Sequence, residues 1–323
     1  MRLNKKIAML FSAGAMLAAA GMASADNYPS RTIRMVVPFP PGGSVDYIAR
    51  IVVPKFAEQI GQTVIIDNKG GASGSIGTAE VAKANPDGYT LLVVFDSHAV
   101  NHHLYKLPYD TFKSFDYLSQ LVSAPMLLAT SKTFRPNSVA EMIAYAKSRP
   151  DGITYGSSGT GGSNHLDALA FADSAGIKAM HVPYKGGGPM ITAVMAGEVD
   201  YVVTTMPVVL GQVKEAGKLK ALAVTSKARV PQLPDTPTVA ETLPGYEASS
   251  WVGMMAPAGL PKDVSLKIQA AMKKALDTPE VKNRLTSEGF QIIGSTPEAF
   301  LETVRAESDA MGKLIQQRNI KVE

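Results

Sequence analysis

Cysteine is absent from the sequence. Disulfide cross-links are therefore excluded, and so is lipid attachment through an N-terminal cysteine. A charge excess that would seek nucleic acid is also missing. The formal charge is +4, but Arg2, Lys5 and Lys6 lie in a leader-like segment, and taking those three from 32 basic residues leaves 29 against 28 acidic ones. No basic patch remains to suggest nucleic acid. After the first 25 residues no apolar run approaches the length of a membrane span. There is no Walker sequence, neither glycine-rich loop fits G-x-G-x-x-G, and residues 156–160 do not fit G-x-S-x-G. Nucleotide binding and a nucleophile elbow therefore lack support.

What is present begins with an export signal. Basic residues precede an apolar stretch over 7–21, and Ala23-Ser24-Ala25 has the form of a cleavage site. The mature chain is expected to start at Asp26 and to be exported and soluble. About 300 residues then remain, more than one core usually accommodates, so two domains are expected. Strand-like runs at 32–37, 63–67 and 89–95 alternate with helical ones from Ser44 and over 75–84. Such alternation predicts a parallel sheet covered by helices. After a loop over 96–108, a second α/β series starts at 125–130. It continues through a helix at 139–147, strands at 153–155, 178–182, 200–204 and 219–224, and helices from Asn164 and over 189–196 and 208–216. The apolar segment 250–256 and three helices close the chain, with Thr278-Pro279 and Thr296-Pro297 reading as N-cap followed by N1 proline. Pro54 falls inside the first helix, where a kink is expected.

The first series turns on Met35-Val36-Val37-Pro38-Phe39-Pro40-Pro41-Gly42-Gly43-Ser44-Val45-Asp46. A buried strand meets a proline-glycine turn that feeds a helix start, whose unpaired N–H groups are donors for an anion. Asp46 sits in the first turn, where the helix dipole favours negative charge. In the second series, Tyr155-Gly156-Ser157-Ser158-Gly159-Thr160-Gly161-Gly162-Ser163-Asn164-His165 repeats the arrangement with small hydroxyl residues. If the two series are two lobes, two helix starts facing across a cleft suit one carboxylate or phosphate ligand. Other chemistry competes for the same residues. Ser157 or Ser158 with His165 suggests a secreted hydrolase, although no acid is placed to orient the histidine; donating a hydrogen bond or capping its own helix is the plainer role for His165. His98, His102 and His103, near Asp96, suggest a metal site, although a convincing fourth ligand is missing.

Taken in order, these segments resemble the solute-binding components of tripartite tricarboxylate transporters, the Bug or TctC-type family. Further pieces are Asp67-Asn68-Lys69-Gly70-Gly71, Asn85-Pro86-Asp87-Gly88-Tyr89, His181-Val182-Pro183-Tyr184-Lys185-Gly186, Pro234-Asp235-Thr236-Pro237-Thr238 and Trp251-Val252-Gly253. The resemblance covers essentially the whole mature chain. It implies a bilobed periplasmic binding protein type II fold, two doubly wound α/β domains joined by crossing strands near 125–130 and 250–256. Lobe 1 is then 26–124 plus 252–323, and lobe 2 is 125–251, after a signal peptide at 1–25. It also implies a monomeric carrier without catalytic residue, cofactor or metal, which closes on a small carboxylate and presents it to membrane permease subunits. A receptor is the alternative partner, for a sensing role.

Carried over to this sequence, one carboxylate is expected against Phe39, Pro40, Gly43, Ser44 and Val45. The other is expected at Ser157, Ser158, Gly159, Thr160, Gly161 and Ser163, with His165 beside them. Tyr184, Lys185, Thr204 and Thr205 follow strands that should point at the same cleft. Ser97 and His98 should sit at the mouth of lobe 1, with His98 or Lys185 neutralising the far carboxylate. An ammonium would need a buried acidic partner, and among these loops only Asp96 is an obvious candidate, so a dicarboxylate, tricarboxylate or aromatic carboxylate without an amine is expected.

Overall fold

A computed structural model describes residues 28–322, and the expected leader at 1–25 lies outside the described residues. In the first half, β1 (Ile33–Val37) runs between and parallel to β2 (Val64–Asn68) and β3 (Thr90–Phe95). Between β1 and β2, α1 (Ser44–Ile60) buries Val45, Ile48, Ala49, Val52, Val53, Phe56 and Ile60, the face that the apolar spacing predicts. The helix continues through Pro54 and ends on Gly61 in the left-handed conformation. A short 3-10 turn (Ala72–Gly74) leads into α2 (Ser75–Ala82). The segment after β3 is not the expected loop, because α3 (Ser97–Leu104) forms there.

The chain then crosses to its second half on β4 (Phe115–Ser131), a strand of 17 residues whose first part was not expected. Here α4 (Val139–Lys147) is followed by β5 (Ile153–Ser157), α5 (Ser163–Ala175), β6 (Ala179–Pro183), α6 (Gly187–Ala196), β7 (Tyr201–Thr205), α7 (Met206–Lys214) and β8 (Leu219–Val224). β5 lies between and parallel to β6 and β7. The chain returns on β9 (Ser249–Pro257) and finishes with α8 (Lys262–Asp277), α9 (Pro279–Ser287), β10 (Gln291–Ile292) and α10 (Pro297–Gln317).

The sheets are mixed rather than parallel throughout. The strand order is β2-β1-β3-β9-β4-β7-β5-β6, with β8 and β10 also on β4. β9 is antiparallel to both β3 and β4, and β4 pairs with β9 up to Pro125, then with β7 and β8 from Met126 onwards. One strand thus belongs to both halves, and the change of partner falls at Pro125-Met126. Separate apolar cores lie on either side: one centred on Ile33, Phe56, Leu118, Met254 and Ile268, another on Met126, Tyr155, Phe171, Tyr201 and Val203. The C-terminal helices belong to the first half. α8 packs on α1, and α10 packs on α3 and β4. Gly253 on β9 marks how close α10 comes, because a Cβ there would lie 2.0 Å from Cζ of Phe300.

Candidate ligand-binding cleft

In both halves the loops that follow parallel strands gather at the carboxyl ends of those strands, where open α/β sheets hold their ligands. The turn after β1 is built by its own side chains. Gly42 adopts φ +82°, a conformation that favours glycine. Asp46, 1% exposed, reaches back so that Oδ2 accepts from the Gly42 N–H at 2.8 Å and from Arg50 Nε at 2.7 Å, while Oδ1 accepts from Asn68 Nδ2 at 3.0 Å. Burial pushes this carboxyl up, but Arg50, the Gly42 amide and Asn68 together outweigh it, and its pKa is lowered. Asn68 also donates to the Phe39 carbonyl. No side chain caps α1, so its first amides remain available to an anion.

The loop after β5 is backed by two histidines. Ser157 is fully buried and its Oγ lies 2.6 Å from His181 Nε2. His165, 5% exposed, accepts the Gly161 N–H on Nδ1 at 3.0 Å and stacks on His181 with ring centres 3.8 Å apart. Burial and His181 push His165 down to about 4, which keeps it a neutral acceptor at ordinary pH. Ser158 donates to Asn164 Oδ1 at 2.7 Å, and Asn164 Nδ2 donates to the Val203 carbonyl on β7. His165 therefore shapes the loop, and it does not pair with either serine. His181 and Asn164 were not singled out from the sequence. Their roles arise from parallel pairing of β5 with β6, which sets Tyr155 opposite His181, and from the approach of α5 to β7.

Among the described residues the halves meet at several places. Ser44 and Thr205 line one small hollow with Phe95, Ser250, Trp251 and Phe290. Beside it, Gly42, Ser44 and Tyr47 face Pro207 and Val208 across a cleft of about 320 Å³, closed at one end by Glu288 and Phe290. Thus α1 and α7 bring their N-termini to one cleft. Gly159 is not among its lining residues; the glycine loop instead approaches the first half where Ser163 Oγ donates to Asp96 Oδ1 at 2.5 Å and where Gly161 packs against Leu104. On the opposite flank, Gln232 Nε2 donates to the Thr286 carbonyl at 2.7 Å.

The other expected residues fall into three groups. Pro40 and Lys185 are exposed, and Phe39, Gly43, Ser44, Ser158, Gly159, Thr160 and Tyr184 are partly exposed. Lys185 makes no ion pair with a described residue. Val45, Thr204 and Thr205 are buried, Val45 within the core. Ser97 donates its hydroxyl to the Ser73 carbonyl. His98 does not face the cleft: it is 3% exposed among Tyr109, Phe115 and Tyr117, neither ring nitrogen has a well-formed hydrogen bond, and burial pushes it down to about 4. An uncharged, enclosed ring cannot neutralise a carboxylate. His102 and His103 hydrogen-bond Ser308 on α10, and among the described residues no group of three or more histidines and acids is placed to hold a metal.

Two α/β halves crossed by antiparallel strands, with loops and helix starts converging between them, define a bilobed binding protein of the periplasmic kind. Residues 48–320 match the tripartite tricarboxylate transporter family receptor, TctC, and the chain belongs to that family. It is a solute-binding protein, not an enzyme. It is 36% identical over 293 residues to the UPF0065 protein in the tcbD-tcbE intergenic region of Pseudomonas sp. strain P51, covering 90% of this chain and 87% of that one. Among solved structures it is similar to Rpa4515 of R. palustris with adipate, at 33% identity and TM-score 0.81 over 91% of this chain and 99% of that one. It is also similar to MatC of Rhodopseudomonas palustris with bound malate, at 32% identity and TM-score 0.78 over 89% and 100%. No helix among the described residues is long and apolar enough to cross a membrane.

Proposed function

We propose that this protein captures a small carboxylate without an amine, a dicarboxylate above all, between its lobes and delivers it to the permease subunits of a tripartite transporter. Export by residues 1–25, with cleavage after Ala25, belongs to the same reading. The observation that carries it is the cleft of about 320 Å³ into which α1 and α7 both present their N-termini. Two positive dipole ends on one small volume suit an anion, and the volume matches a small-molecule site. One carboxylate lies against the turn formed by Phe39, Pro40, Gly43 and Ser44, reached by backbone amides and bridging water. Its partner lies towards Thr205 and the start of α7, with the Ser158-Gly159-Thr160 loop and the exposed Lys185 reached only if the lobes rearrange around the ligand. A ligand that touches both lobes stabilises their approach, and the closed form is what a permease distinguishes. The relatives that hold adipate and malate support the ligand class. Titration calorimetry on mature protein, unfolded and refolded to strip carried-over ligand, tests it with malate, succinate, adipate, citrate, terephthalate, glutamate and aspartate. Binding of one of the amine-free acids is expected; tight binding of glutamate or aspartate alone overturns the ligand class.

A further inference from the structure

Between the lobes, next to the hollow lined by Phe95, Ser250 and Trp251, lies a group of acids that ligand capture as described does not use. Asp96, at the end of β3, is 1% exposed; Oδ1 takes the Ser163 hydroxyl from the other lobe, while Oδ2 is buried without a hydrogen-bond partner. Glu307 on α10 accepts from the indole N–H of Trp251, itself 2% exposed. Asp167, one turn further along α5 from Ser163, is 7% exposed. Two of these carboxyls come from lobe 1 and one from lobe 2.

Among the described residues no cation pairs with them. On α10, Arg318 is committed to Asp173 and Arg305 lies over the Phe112 ring. On α3, His102 and His103 are bonded to Ser308 and His98 is enclosed by aromatic rings. On α5, His165 is held neutral on the Gly161 amide, and β9 contributes only Ser250 and Trp251. The remaining titratable neighbour, Tyr246, turns its hydroxyl to the Asp167 carbonyl. Burial pushes Asp96 up to about 6, and burial together with the Asp96 charge raises Asp167 and Glu307.

We propose that Asp96, Asp167 and Glu307 form a proton-binding site shared by the two lobes, so that closure takes up protons and opening releases them. When the lobes part, Asp96 and Asp167 separate and regain water, and their affinity for protons falls. The sign follows from linkage. A carboxyl whose pKa is higher in the closed state favours closure fully below the open-state value near 4, and the advantage is lost as pH rises through about 6 and beyond. In carboxylate capture, proton uptake at this layer offsets part of the negative charge brought in by the ligand. The inference rests on the reading that the lobes close around a ligand, but its test needs none.

Because the chain has no cysteine, Lys83→Cys and Lys218→Cys, exposed positions on opposite lobes, place a donor and an acceptor dye cleanly. Energy transfer is then followed from pH 8 to pH 5 on ligand-stripped protein. The ratio of closed to open molecules is expected to rise about three- to tenfold per pH unit below about pH 6, and Asp96→Asn, which keeps the link to Ser163 but cannot ionise, is expected to reduce the slope. Asp167→Asn provides the same test should Asp96→Asn not fold. A ratio independent of pH in the unsubstituted chain, or a slope unchanged in a folded variant, overturns the proposal. So does a cluster that ignores pH while Asp96→Asn removes closure by glutamate or aspartate, since the acids then serve an ammonium.

Discussion

Asp46→Ala removes the residue that ties the lobe 1 turn to its helix. Three contacts are lost: the Gly42 amide at 2.8 Å, Arg50 at 2.7 Å and Asn68 at 3.0 Å. Hydrogen bonds to a charged partner contribute roughly 1.5–3 kcal/mol each. Two of the three must be discounted: the Arg50 side chain is 56% exposed, so that pair is screened by water and adds little, and the Gly42 amide is exposed enough to regain water. The expected total is therefore about 2–3 kcal/mol, read as a shift of the urea midpoint at pH 7. Asp46→Asn keeps one carbonyl acceptor but turns an NH2 towards the remaining donors, and should lose about 1–2 kcal/mol. Since the carboxyl is held below its ordinary value, its contribution is present above the unfolded carboxylate range and disappears as pH falls through the lowered one. The gap between the unsubstituted chain and Asp46→Asn should accordingly close towards pH 2. Loosening the turn also disorders the amides offered to ligand, so the Kd for whichever dicarboxylate binds should rise about tenfold. An Asp46→Ala chain within 0.5 kcal/mol of the original at pH 7, or a gap that does not change with pH, refutes the account of the turn.

His98→Phe should leave ligand affinity unchanged and raise the thermal midpoint by a few degrees, because a ring with two unsatisfied buried nitrogens is replaced by one with none; loss of binding in calorimetry would return His98 to the ligand. Gly161→Ala forces φ +81° on a residue with a Cβ, which would lie 2.5 Å from Cδ1 of Leu104. A cost of about 1–3 kcal/mol in urea unfolding is expected. Leu104→Ala in the same chain should recover the steric part of the interlobe contact, as read by energy transfer between the lobes, and not the backbone part.

The regular elements were legible wherever periodicity and turn residues agreed. α1 and α4 follow from their apolar spacing, and the helix end at Gly197 follows from glycine's tolerance of left-handed geometry, whereas Gly217, the other glycine expected to end a helix, lies beyond a helix that stops at Lys214. α3 was not legible, because Ser97-His98-Ala99-Val100-Asn101-His102-His103-Leu104 combines modest helix formers with no clear cap. Its helix is sustained by packing on α10 and by Asn101 and Ser97 bonding the Ser73 carbonyl. The first part of β4 was hidden for another reason. Ser119 and Gln120 look like surface residues, yet both are buried, and Ser119 Oγ bonds the Ser295 carbonyl beside two register shifts against β9. In the candidate cleft, the glycine turns could be found from sequence because their conformations demand particular residues. Their supports could not, since His181 and Asn164 acquire roles only through strand register and helix packing.

The same contrast explains how the cleft can attract an anion with little net charge of its own. Asp46 is neutralised by Arg50 and buried, so the turn after β1 presents amides rather than a carboxylate. In the second lobe the histidines that support the loop are neutral, with His165 held near 4. The attraction then comes from fixed N–H groups and dipole ends, which are strong only at short range and require an ordered backbone. Selectivity among carboxylates on this basis depends on the separation between the two anion subsites more than on total charge. Raising the salt concentration should consequently weaken capture far less than opening the lobes by one broken interlobe contact, such as the bond from Ser163 to Asp96.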